Sequence, residues 1–148
     1  MMRRLVLLPV LLSLLTSVAF AAESPAAGSG AVIVLQNTGE HASVDGNSLR
    51  RMLLGLIVEW PNGNRVRVAL PSRASPAYDA VGRQIFGSSG RGMTRHWLQK
   101  VFSGEAQAPS FIDSDAALVA EVLANPNMVG ILGARPANIP EGLRLVTP

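Results

Sequence analysis

The spacing of apolar residues along this chain changes several times, and each change predicts a new element. Ala31 to Leu35 is an unbroken apolar run of strand length, which suits a strand buried on both faces. Leu49, Met52, Leu53, Leu56 and Ile57 then recur at i, i+3, i+4, i+7 and i+8, one stripe of an amphipathic helix. Asn47 or Ser48 can cap that helix, and Arg50 and Arg51 fall on its wet face. Gly55 weakens it and marks the end of its regular part. Trp60-Pro61-Asn62-Gly63 predicts a tight turn, because Pro61 stops a helix and Asn62-Gly63 supplies turn chemistry. Val66, Val68 and Leu70 alternate as in a strand, which Pro71 is expected to stop for want of an N–H. Ser75-Pro76 reads as an N-cap and a first helical residue, with Ala77, Val81 and Ile85 on one apolar helix face behind them.

Gly87 to Gly92, GSSGRG, is expected to be a helix–helix connection, since it lacks the lysine and spacing of a Walker loop and no strand directly precedes it. Met93, Trp97 and Val101, with Leu98 beside them, predict a further helix whose polar side is Arg95, Gln99 and Lys100. Phe102-Ser103-Gly104 closes it, and residues 105–110 read as a loop. Asp113-Ser114-Asp115 opens another helix, capped by Ser114 or Asp113, with Leu118, Val119, Val122 and Leu123 as its buried face. Asn125-Pro126-Asn127 ends it. Met128 to Leu132 is a second buried strand, and Leu143 to Val146 a short terminal one. Strands alternating with helices predict an α/β domain, a layered mixed sheet flanked by helices, with four of each.

The first residues change the picture of where this domain works. Arg3 and Arg4 precede an apolar run from Leu5 to Val18, and Ala19-Phe20-Ala21 fits the small-x-small cleavage rule. Residues 1–21 therefore read as a secretory signal peptide, 22–30 as a flexible leader and 31–148 as a single domain. With no cysteine, the chain has no disulfide, thiolate metal site or cysteine nucleophile, and the periplasm is the expected destination. The formal charge of +3 drops by two when Arg3 and Arg4 leave, and no basic run carries interleaved aromatics, which excludes a nucleic-acid binder. His41 and His96 lack the spacing of a shared metal site and read as surface or packing residues. Asp113 and Asp115 read as helix-capping residues rather than a catalytic pair. There is no Gly-x-Ser-x-Gly elbow and no Ser-His-Asp order, so the chain is expected not to be an enzyme and to need no cofactor.

One stretch does carry chemistry. Between the strand ending at Leu70 and the next helix lie Ser72, Arg73 and Ser75. Hydroxyls and a guanidinium at a helix N-terminus, where free N–H groups gather, suit an anion such as phosphate or sulfate. The plainer alternative is that Ser75 only caps the helix and Arg73 is solvated.

The order of motifs is similar to that of a known family. Ser48-x-x-x-Met52-Leu53-x-Gly55, Trp60-Pro61-Asn62-Gly63, Arg73-x-Ser75, Trp97, Phe102-x-Gly104, Asp113-Ser114-Asp115 and Asn125-Pro126-x-x-x-Gly130-Ile131 together resemble the phosphate-binding periplasmic proteins of ABC transporters. The resemblance spans residues 31–134 and implies one lobe of a type 2 periplasmic binding protein fold. It implies a site at Ser72, Arg73 and Ser75 for phosphate or a similar oxyanion, with an ABC permease or envelope protein as partner. Members of that family have two lobes and hold the anion in the cleft between them. A lone lobe leaves its anion wet and screened, so weak binding is expected unless a homodimer or partner supplies the other wall. The alternative is a ligand-free periplasmic interaction or sensor module that reuses the same lobe.

Overall fold

In a computed structural model that describes residues 29–148, the apolar runs become a five-stranded sheet of order β3-β2-β4-β1-β5. The strands are β1 (Ser29–Gln36), β2 (Arg67–Pro71), β3 (Ser110–Ile112), β4 (Met128–Ala134) and β5 (Leu143–Val146). Four helices accompany them: α1 (Gly46–Leu53), α2 (Tyr78–Phe86), α3 (Gly90–Phe102) and α4 (Asp115–Ala124), with a short 3-10 helix at Gly39–Ser43. β3, β2 and β4 run parallel, while β1 lies antiparallel to both β4 and β5. The layered α/β class expected from the sequence is thus the class observed. The expected signal peptide and residues 22–28 of the expected leader lie outside the described residues.

Period-two alternation divides each central strand between two cores. Ile33, Leu35, Val68, Leu70, Val129 and Ile131 face a large cluster with Leu49, Met52 and Leu53 of α1, Val81 and Ile85 of α2, and Met93 and Trp97 of α3. Val32, Val34, Ala69, Met128 and Leu132 face a smaller cluster with Leu118 and Val122 of α4. Helices therefore cover both faces, which is why the central strands are apolar throughout. Gly130 lets α4 lie close on the sheet: a Cβ there would sit 2.5 Å from Leu118 Cδ2.

Several boundaries differ from the expected ones for identifiable reasons. α1 is capped by Asp45, whose carboxylate accepts the Ser48 N–H at 3.0 Å; that bond holds Asp45 below the usual carboxylate range. The helix ends before Leu56, which is exposed, because Gly55 turns into the left-handed region at φ +70. Pro71 is the last residue of β2, as its missing N–H led one to expect. The ladder bond beyond it is made by Ser72, whose N–H donates to Ile112 O at 2.8 Å. α2 starts at Tyr78, with Ala77 as N-cap and no side-chain cap bond, so Ser75-Pro76 is a turn ahead of the helix and not its first residues. β3 falls at the end of the stretch expected to be a loop. Leu123, expected to be buried, is exposed on α4. Among the described residues no helix is long and apolar enough to cross a membrane.

Candidate functional site

Two consecutive turns carry the chain from β2 into α2: Ser75 N–H donates to Ser72 O at 2.9 Å and Tyr78 N–H to Ser75 O at 3.2 Å. These turns leave Arg73 exposed at the sheet's end. Tyr78, the first residue of α2, ties that corner to α3. Its hydroxyl lies 2.7 Å from Thr94 Oγ1, and Thr94 Oγ1 donates in turn to Gly90 O at 3.1 Å. Gly90 N–H also donates to Asp79 Oδ1 at 2.9 Å, so a carboxylate sits at the positive end of α3. The α2–α3 corner is tight enough that a Cβ on Gly90 would lie 2.2 Å from the Tyr78 ring.

This corner and the β3 edge frame an open groove of about 640 Å³. Arg73, Arg91 and Arg95 line it, together with the polar pair Tyr78 and Thr94 and the apolar Leu98 and Phe111. Arg91 and Arg95 stand one turn apart on α3, so their side chains share a face. No carboxylate is among the lining residues. The ion pair recorded among the described residues joins Lys100 to Glu105 at 3.2 Å, so none of the three groove arginines is neutralised by one. Each guanidinium offers a planar fork of donors that matches carboxylate, phosphate or sulfate oxygens. The groove thus concentrates positive charge and oriented donors beside exposed apolar surface.

The residues expected to form the anion site occupy three different environments. Ser72 donates its hydroxyl hydrogen to Asp113 and accepts the Ala74 N–H at 3.1 Å. An oxyanion approaching Ser72 would therefore meet the Asp113 carboxylate. Ser75 is only 5% exposed, and its Oγ accepts the Ala77 N–H at 3.2 Å. Arg73 alone opens onto the groove. Arg91 and Arg95 were not singled out as a site in the sequence. The signal for them is the i, i+4 arginine pair on α3 opposite Met93 and Trp97, but it becomes a site only when β3 and Arg73 are brought alongside.

The histidines are packing residues. His41 is 5% exposed and lies against Trp60 with ring centroids 4.0 Å apart; neither ring nitrogen has a partner among the described residues. Burial pushes its pKa down, against a smaller upward pull from Glu40. His96 Nε2 is 2.7 Å from Leu54 O, which ties α3 to the end of α1. Asp115 accepts the Gly133 N–H at 3.2 Å, and Ser114 caps α4 through Ala117 N–H at 3.1 Å. Among the described residues no group of three or more His, Cys, Asp or Glu is placed to hold a metal ion.

No protein-family model matches this chain, and no curated protein matches it significantly. Among solved structures, the chain is similar to an ABC-type phosphate transport receptor from Vibrio cholerae, with 15% identity and a TM-score of 0.45. The match covers 79% of this chain and 45% of the receptor, so the chain spans less than half the length of that protein. A likeness of that degree assigns no residue a role.

Proposed function

We propose that this is a binding domain, without catalysis of its own, that recognises an oxyanionic group of the phosphate or sulfate kind in the Arg73–Arg91–Arg95 groove. The observation that carries the reading is the set of three unneutralised guanidinia on one concave surface that no carboxylate lines. Charge-assisted, bidentate bonds to arginine are the strong and geometrically selective way to hold such a group. The groove is open, so a small free anion remains partly hydrated and screened, and the affinity is weak. The finer form of the proposal is an exported solute-binding component of an ABC transporter. Its support is the signal-peptide pattern of residues 1–21 and the motif resemblance of residues 31–134.

Calorimetry with inorganic phosphate and sulfate tests the reading. Binding is expected to weaken about tenfold or more in Arg73→Ala, the loss of a charge-assisted bond. Arg135→Ala, which alters a different groove, is expected to leave the affinity unchanged. Unchanged affinity in Arg73→Ala would put the site elsewhere. Absence of both heat and thermal shift with an excess of either anion would end the proposal.

A further inference from the structure

The groove carries apolar surface that a small inorganic anion has no use for. Leu98 is 50% exposed and Phe111 40% exposed; Phe102, one turn beyond Leu98 and outside the groove lining, is 85% exposed. Arg91, Arg95, Leu98 and Phe102 fall at i, i+4, i+7 and i+11 and so form one outward stripe on α3. The opposite face of the helix is already spent on the core through Met93 and Trp97.

Across the groove lies a second feature suited to a larger guest. Among the described residues β3 is the edge strand of the sheet and pairs only with β2. In a parallel ladder both main-chain groups of one residue point to the same side, and successive residues alternate. Because Ile112 O accepts from Ser72 N–H, Ile112 turns toward β2, and Phe111 turns its own N–H and C=O to the open edge. Such an edge accepts another extended chain, whose main chain supplies affinity and whose alternate side chains supply selectivity.

We infer that this face docks an extended acidic segment of a partner protein, laid along β3. Its carboxylates meet Arg73, Arg91 and Arg95, and its apolar side chains cover Leu98, Phe111 and Phe102. The inference rests on the oxyanion reading and names what carries the anion. Charge complementarity selects an acidic occupant over a neutral or basic one. The exposed apolar stripe selects a peptide over a free ion, since a peptide can desolvate the guanidinia that an open groove leaves wet.

The probe is a short fluorescent peptide of alternating glutamate and leucine, compared with its lysine–leucine counterpart and with inorganic phosphate. The acidic peptide is expected to bind with strong salt sensitivity, and the basic one not to bind. Leu98→Gln and Arg95→Ala are each expected to weaken the acidic peptide about tenfold. Phe102→Gln is expected to weaken the peptide severalfold while leaving phosphate affinity unchanged, because Phe102 lies beyond the arginines. Retained melting temperature confirms that each surface variant is folded. Equal binding of both peptides, or peptide binding indifferent to Leu98→Gln and Phe102→Gln, would overturn the inference. Phosphate binding without peptide binding would remove this inference and keep the oxyanion reading; loss of both would remove both.

Discussion

Gly82 sits inside α2, where replacing glycine with alanine ordinarily stabilises a helix by about 0.8–1.0 kcal/mol. The structure predicts the opposite sign. A Cβ on Gly82 would lie 2.6 Å from the carbonyl carbon and oxygen of Ser89 and 2.7 Å from Gly90 N. Non-bonded heavy atoms prefer roughly 3.5–4.0 Å, so α2 and the start of α3 would have to part by about 1 Å. The obstacle is main chain and cannot rotate away. Two hydrogen bonds stand in the way of that movement: Ser88 N–H to Gly82 O at 3.1 Å and Gly90 N–H to Asp79 Oδ1 at 2.9 Å. Stretching either by about 1 Å takes it out of hydrogen-bonding range, at about 1 kcal/mol each. Overpacking of this kind costs about 1–3 kcal/mol. After the propensity gain is set against these costs, Gly82→Ala is expected to destabilise by about 1–3 kcal/mol. For a domain of this size that lowers Tm by about 3–15 °C. The assay is thermal and urea denaturation of the wild type and Gly82→Ala. Ala80→Gly, at an exposed position on the same helix, serves as the propensity reference and is expected to cost about 1 kcal/mol. A Gly82→Ala protein as stable as wild type, or more stable, would refute the close approach of α2 and α3. The tether that frames the arginine groove would then go with it.

Two further outcomes follow from single residues. The His41 ring is buried against Trp60 with its pKa depressed below the ordinary 6.5, so the fold favours the neutral ring. Its contribution is fully present above the unfolded-state value and is lost as pH falls through and below it. Urea midpoints should therefore drop between pH 7.5 and 5, a window kept above the titration of Asp45 and Glu105, whose pKa values are lowered. In His41→Phe that pH dependence should shrink, and an unchanged slope would show that the ring is not the proton-linked group. Ser114→Ala should cost about 1 kcal/mol by freeing the Ala117 N–H, and Ser114→Asn should restore most of it. Equal urea midpoints for all three proteins would mean that this cap contributes nothing.

How much of this was legible in the sequence depended on how local its cause was. β1 and β4 announce themselves by apolar runs, and the Leu49–Leu53 and Ala77–Ile85 faces by their period, because burial writes a pattern on the chain. β3 writes none. Three residues behind Pro109 form a strand only because β2 offers a parallel partner forty residues earlier in the chain. Ser75-Pro76 carries the local signature of a helix start, yet the turn into α2 absorbs both residues and Ser75 is buried. His41 reads as a loop residue, and its burial depends on Trp60 arriving from a separate turn. The groove was half legible: Arg73 was singled out on its own stretch, whereas Arg91 fell in the expected helix–helix connection and Arg95 on the polar side of the next helix. What joins them is the sheet edge carrying Phe111, which the sequence did not reveal as a strand.

The position of β1 sets a timetable. Among the described residues its two neighbours are β4 and β5, both from residues 128–146, so a chain made from its N-terminal side offers β1 no sheet partner until those residues have been made. Until then the sheet cannot close, and β1 can complete neither of the two cores to which its alternating side chains belong.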